Sequence, residues 1–132
     1  MKLMPGEFFE MPSAVFQMDL TPEELATYAY LRCRKNNRTH KCWPSYKTIG
    51  EAIGRSRKSV AKYVGGLEEK GLISTEPTEM ITKGGVPLNG NLMYTVLPVR
   101  PAVEQFNRRL IRQAEVENER RRVQAVLNEK GA

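Results

Sequence analysis

Only two cysteines, Cys33 and Cys42, occur in the 132 residues, with a single histidine, His40, and a single tryptophan, Trp43. Two cysteines are too few for a disulfide framework, and in a reducing compartment they stay free thiols. A structural zinc needs four ligands at tight spacing. Cys33, His40 and Cys42 offer three at irregular spacing, so no metal is expected and the cysteines read as ordinary buried or half-buried side chains. The lone histidine has no nucleophile partner, and neither a Gly-rich phosphate loop nor a carboxylate cluster is visible. That argues against an enzyme and implies no cofactor. No apolar run approaches the roughly 20 residues that cross a bilayer, and the opening Met1-Lys2-Leu3-Met4-Pro5-Gly6-Glu7 lacks a signal-peptide core. The expectation is a cytoplasmic protein with no membrane partner.

What the chain does have is basic charge, unevenly placed. Its net charge is +6. Residues 1–40 are neutral and residues 71–98 slightly acidic. The excess lies in two blocks. In residues 41–70, Lys41, Lys47, Arg55, Arg57, Lys58, Lys62 and Lys70 face only Glu51, Glu68 and Glu69. The second block is the stretch 99–132. A positive surface attracts phosphates and releases counterions when it binds DNA.

Helix signals come in quick succession. Phe8 to Pro12 reads as an arm or edge strand, since Pro12 cannot donate to a ladder, and Ser13 to Met18 as one helical turn. Thr21-Pro22-Glu23-Glu24 combines a cap, a proline at the first helical position and a capping-box glutamate. It opens a helix over Pro22 to about Lys35. His40 to Trp43 reads as a short strand. Pro44 bars helix at Trp43 and Ser45 caps a helix over Tyr46 to Ile53, which Gly54 ends. Ser56 caps the next helix, whose buried face is Val60, Val64 and Leu67, and Gly71 ends it. Leu72 to Thr75 and Asn91 to Leu97 read as two strands of a hairpin joined by a polar, Gly-rich stretch, Glu76 to Gly90. From Pro101 to about Glu129 runs one long helix. Its stripe Val103, Phe106, Leu110 and Ala114 is interrupted over Glu115 to Arg122 and resumes at Val123, Val126 and Leu127. The fold class is therefore mainly α with a small β-hairpin (α+β). Residues 1–98, with an arm at 1–20, form one domain, and 99–132 a helical tail.

The two short helices meeting at Gly54 have the layout of a helix-turn-helix, whose second helix enters the major groove. Gly50 sits where the helices would touch, and Val60 would lock the second onto the first. Arg55, Ser56, Arg57, Lys58, Ser59 and Lys62 cluster on the turn and the start of the second helix. Arginine there can pair bidentately with guanine, and a helix N-terminus favours phosphate. A solitary helix would gain from acids in its first turn, so Arg57 and Lys58 break a local rule, as functional sites do. Tyr46 and Lys47 open the first motif helix and are candidates for phosphate contact, or for plain exposure. Trp43 is expected to pack beneath the motif rather than stack on a base. Tyr28, Tyr30 and Tyr94 read as core or rim, and Arg120-Arg121-Arg122 as a solvated face.

Cys42-Trp43-Pro44-Ser45-Tyr46-Lys47-Thr48-Ile49-Gly50, Ile53-Gly54-Arg55-Ser56-Arg57-Lys58-Ser59-Val60 and Leu67-Glu68-Glu69-Lys70-Gly71-Leu72-Ile73 resemble the winged-helix domains of phage and plasmid replication initiators. They are also similar to the DNA-binding domain of GntR-type regulators. The Phe9-Glu10-Met11-Pro12 arm resembles the initiator branch. The resemblance covers residues 8–98 and implies a winged helix with Arg57, Lys58 and Lys62 toward DNA and the hairpin as wing. That wing carries Lys83 as its only base. Two positions depart from the pattern: Gly50, where alanine is commoner, and Gly65-Gly66 inside the recognition helix, where a kink or close packing is expected. The partner implied is double-stranded DNA, bound by a transcriptional regulator or a replication initiator of a mobile element. A homodimer through the C-terminal helix or the N-terminal arm suits paired half-sites. The alternative is a winged-helix module for protein–protein contact through the C-terminal helix.

Overall fold

The computed structural model describes residues 6–81, 84, 87–89 and 91–131. After an exposed arm and a short 3-10 turn at Ser13–Gln17 come α1 (Pro22–Arg34), β1 (Lys41–Cys42), α2 (Tyr46–Ile53) and α3 (Arg57–Glu69). Strands β2 (Ile73–Glu76), β3 (Glu79–Ile81), β4 (Pro87–Asn89) and β5 (Met93–Val96) follow, then α4 (Val99–Lys130). The arm forms no strand over its described residues, so of the two readings of Phe8 to Pro12 the edge strand is set aside. It is tied to α1 by Arg32, whose Nε donates to the Glu10 carbonyl at 2.6 Å.

Each short helix begins as its sequence predicts. Thr21 and Glu24 form a reciprocal capping box on α1. The Ser45 and Ser56 hydroxyls accept from Thr48 and Ser59 backbone N–H groups, each satisfying one donor that a helix start leaves unpaired. Gly54 ends α2 with φ of 73°, a left-handed conformation that a β-carbon disfavours. Gly50 is small because the Arg55 carbonyl lies against it, where any β-carbon would have to go.

Helices α1, α2 and α3 pack into a bundle over a three-stranded sheet of order β1-β5-β2, all antiparallel. Lys41 lies opposite Thr95, and Ser74 opposite Thr95 on the other side. The core collects Val15, Tyr28, Leu31, Ile49, Val60, Leu67, Leu72, Ile73 and Tyr94, all nearly fully buried. The first turns of α4 close this core, with Ala102 buried and Val99, Val103 and Phe106 packed beside it. From Asn107 to Gly131 every residue is exposed.

The stretch Glu76 to Gly90, read from sequence as a polar connection, contains strands among its described residues. It holds β3 and β4, paired antiparallel with Glu79 opposite Asn89 and Ile81 opposite Pro87. Local turn residues mask the Glu79-Met80-Ile81 run, which pairing rather than propensity turns into strand. The fold is a winged helix-turn-helix, α+β in class, followed by a long C-terminal helix. Among the described residues no helix is long and apolar enough to cross a membrane.

The pair Gly65-Gly66 divides into two cases. At Gly66 a β-carbon would collide with the Glu24 carboxylate. Glu24 is 6% exposed and bonded to the Thr21 N–H at 2.9 Å and the Lys70 ammonium at 2.6 Å. Close packing, as expected, explains this glycine. At Gly65 nothing lies within 4 Å of the place a β-carbon would take, and packing gives no reason for it. The helix runs through both residues without a break.

Candidate nucleic-acid interface

Helix α3 divides cleanly by face. Val60, Val64 and Leu67 point into the core. Arg57, Lys58, Ala61, Lys62 and Gly65 are exposed and fill the sector beside that stripe at helical spacing, with Arg57 nearest to it. Arg57, Lys58 and Lys62 form no ion pair with any described residue. Three cations therefore flank a bare strip at Ala61 and Gly65, where groups of another molecule can approach the helix backbone. Sequence reasoning misses Ala61. Its spacing, four after Arg57 and four before Gly65, is the signal that could have found it.

The other predicted residues occupy different settings. Lys47 is exposed on the first turn of α2, whereas Tyr46 is half-buried against the core, which leaves it less free for a phosphate. Arg55 is held in the turn. Its guanidinium lies 3.5 Å from Glu23 of α1 and donates to the Gly54 carbonyl at 3.0 Å. Ser56 caps α3, and its hydroxyl also donates to the Ser59 hydroxyl at 3.0 Å. Both serines shape the helix start, with Ser59 half-buried. Lys83 lies outside the described residues. Arg120, Arg121 and Arg122 are solvated, with Arg121 and Arg122 paired to Glu117 and Glu119 along the same helix.

Trp43 departs from expectation: it is 51% exposed instead of lying beneath the motif. The neighbouring Cys42 on β1 takes the buried place, and Pro44 and the Ser45 cap turn the chain before the indole can reach the core. Its carbonyl accepts from the Asn91 Nδ2 at 3.1 Å, joining the entry of α2 to the base of the wing.

Electrostatics separate α1 from the motif helices. The first turn of α1 carries Glu23 and Glu24, which suit the positive end of the helix dipole. The first turns of α2 and α3 carry no acid. Their positive ends and Lys47, Arg57 and Lys58 together make a surface suited to anions.

Titration supports a structural role for the buried groups. Burial alone would raise Glu24, but the Lys70 hydrogen bond and charge and the Thr21 bonds outweigh it and hold the carboxyl below its ordinary 4.5. Burial pushes the Cys42 thiol up to about 11, against a small opposing pull from Arg34, so it is an unreactive packing group. Among the described residues no group of three or more His, Cys, Asp and Glu side chains is placed to hold a metal ion.

Residues 19–73 match the family HTH_36, a helix-turn-helix domain. No curated protein matches the chain. Among solved structures, a possible transcriptional regulator from Methanosarcina mazei Go1 is 14% identical, covering 78% of this chain and 80% of that one, with a TM-score of 0.51. The N-terminal domain of a DNA binding protein is 18% identical, covering 79% and 86%, with a TM-score of 0.50. MepR of S. aureus, solved with DNA, is 18% identical over 87% of this chain and 84% of that one, with a TM-score of 0.45. At such identities the likeness is one of fold: residues 19–73 of this chain form a helix-turn-helix domain within a winged-helix frame.

Proposed function

We propose that this chain binds double-stranded DNA sequence-specifically, with α3 as the recognition helix. It acts as a transcriptional regulator or as a replication initiator of a mobile element. The observation that carries the reading is the contrast between helix starts: α1 has its acids and capping box, while α2 and α3 present Lys47, Arg57 and Lys58 where acids would stabilise. Helix-turn-helix folds read bases with the first turns of the second helix. Arg57 and Lys58, with Ala61 between them and Lys62, are assigned to the groove. Lys47 and the N-terminus of α2 are assigned to backbone phosphate. Arg55, Ser56 and Ser59 support the helix start, and Lys83 is a candidate wing contact. Two copies, joined through the C-terminal helix or the N-terminal arm, would match paired half-sites.

Selection of bound fragments from the parent genome supplies the site and shows whether it lies at a promoter or an origin. Affinity for that site is then measured against salt. Arg57→Ala and Lys58→Ala each should weaken binding by roughly 1–3 kcal/mol if they read bases. Unchanged affinity in both variants rejects the assignment of α3.

A further inference from the structure

Trp43, the only tryptophan of the chain, is displayed on a backbone anchored from both sides. Before it, Cys42 is buried and paired with Tyr94 of β5. Its own carbonyl accepts from the Asn91 Nδ2 at 3.1 Å, at the base of the wing. After it, Pro44 restricts Trp43 to extended backbone, and the Ser45 hydroxyl accepts from the Thr48 N–H at 3.0 Å. The indole is nevertheless half exposed, and its Nε1–H donates to no described residue. A tryptophan offers an apolar body and one N–H donor. That pair of features suits a surface that is apolar at the sugar and anionic at the phosphate.

We propose that Trp43 contacts the DNA backbone: its Nε1–H donates to a phosphate oxygen, and its ring lies along the adjoining deoxyribose. This contact rests on the reading of the chain as a duplex binder and adds to it a residue outside α3. Three observations favour phosphate at this place. Trp43 stands two peptide units, about 7 Å of chain, from the Ser45 cap, next to the α2 start assigned to backbone phosphate. Successive phosphates of one strand advance by about 3.4 Å, so a strand held at α2 brings further sugars within reach of the ring. From Thr39 to Thr48 the only full charges are Lys41 and Lys47, both positive. Neither forms an ion pair with a described residue. Cys42 points inward, so its neighbours Lys41 and Trp43 point outward together. A charged donor and a neutral one are thus offered side by side, with no acid between them.

The test uses the full chain, the duplex selected from the parent genome and a scrambled duplex of the same length. Indole fluorescence comes from Trp43 alone, while the anisotropy of dye-labelled duplex measures binding itself. Saturating duplex should lower acrylamide quenching of Trp43 to the level of a buried indole. Trp43→Phe keeps a ring and loses the donor; it should melt with the parent and bind about threefold more weakly. Trp43→Ala should bind about tenfold more weakly. Both losses should be equal on the two duplexes, because backbone contacts carry no sequence information. The salt slope should not change, because no charge is removed. If the unmodified chain binds neither duplex, the DNA reading falls and Trp43 with it. If it binds while Trp43 stays open to acrylamide, or if both variants bind as the parent does, the placement of Trp43 alone is overturned. Equal protection by the single strand also overturns it, since that is the mark of base stacking.

Discussion

Adjacent glycines in α3 should respond in opposite directions to the same substitution. Glycine inside a helix costs about 1 kcal/mol relative to alanine. At Gly65 the added methyl meets nothing within 4 Å, so Gly65→Ala should stabilise by close to that amount. At Gly66 the methyl takes the place of the Glu24 carboxylate. Glu24 must then move, and the Lys70 ammonium loses a partner it holds at 2.6 Å. Breaking a fully buried pair costs about 3–5 kcal/mol. Lys70 is a quarter exposed, which lowers that to roughly 2–3 kcal/mol, and the helix-propensity gain offsets about 1 kcal/mol more. Gly66→Ala should therefore be less stable than the parent by about 1–2 kcal/mol. In a domain of this size each kcal/mol moves the melting temperature by about 4–8 °C. Thermal and urea unfolding followed by circular dichroism should show one variant rising and the other falling. If both move the same way, the account of Glu24 as the reason for Gly66 is wrong. Duplex affinity adds a second readout, because a methyl at Gly65 stands on the face assigned to the groove. It should weaken binding while the protein becomes more stable.

Three further outcomes follow from the buried groups and the charged surface. Tyr94 is fully buried and its hydroxyl has no described partner, while burial, with smaller contributions from Tyr46, Cys42 and Glu68, drives its titration upward. Tyr94→Phe removes an unsatisfied polar atom, so unfolding free energy should stay within about 0.5 kcal/mol of the parent or rise; a loss above about 1.5 kcal/mol would reveal a partner for the hydroxyl. Glu24 titrates lower in the folded than in the unfolded chain, so it adds stability above about pH 4.5 that disappears as pH falls through its folded value. Glu24→Gln should flatten the acid limb of the stability profile, and an unchanged limb would remove Glu24 from that role. Lys47→Ala should reduce the salt slope of duplex binding by about one without altering sequence preference; an altered preference would place Lys47 at a base.

The helix-turn-helix is legible in the sequence because local chemistry marks each of its boundaries. Thr21, Ser45 and Ser56 cap, Pro22 occupies the first helical position, and Gly54 ends α2. Each of these acts within four residues of itself. Features that depend on distant partners are not legible. The pairing of β3 with β4 lies hidden in a Gly-rich stretch, since strand formation there depends on the opposite strand. Trp43 reads as interior because it is large and apolar, yet the direction in which the chain turns at Pro44 decides its exposure. Gly66 stands out as unusual inside a helix, but only the fold reveals Glu24 behind it. In the candidate interface, Arg57, Lys58 and Lys62 fall together on one face as the helical period predicts. Arg55 joins them by sequence proximity alone, and its bridge to Glu23 requires the packing of α1 against the turn.

Strand β1 is two residues long and lies between α1 and α2, yet it pairs with Tyr94 and Thr95, more than fifty positions later. The three helices are complete by Glu69 and pack against one another, although they also bury Leu72, Ile73 and Tyr94. Proteins close near contacts before distant ones. The helical unit should therefore assemble first during synthesis, with Lys41 and Cys42 waiting at an open edge until β5 emerges. Order of formation then separates the two parts of the domain. The helices that meet DNA in our reading are set early, and the wing and the tail are hung on them last.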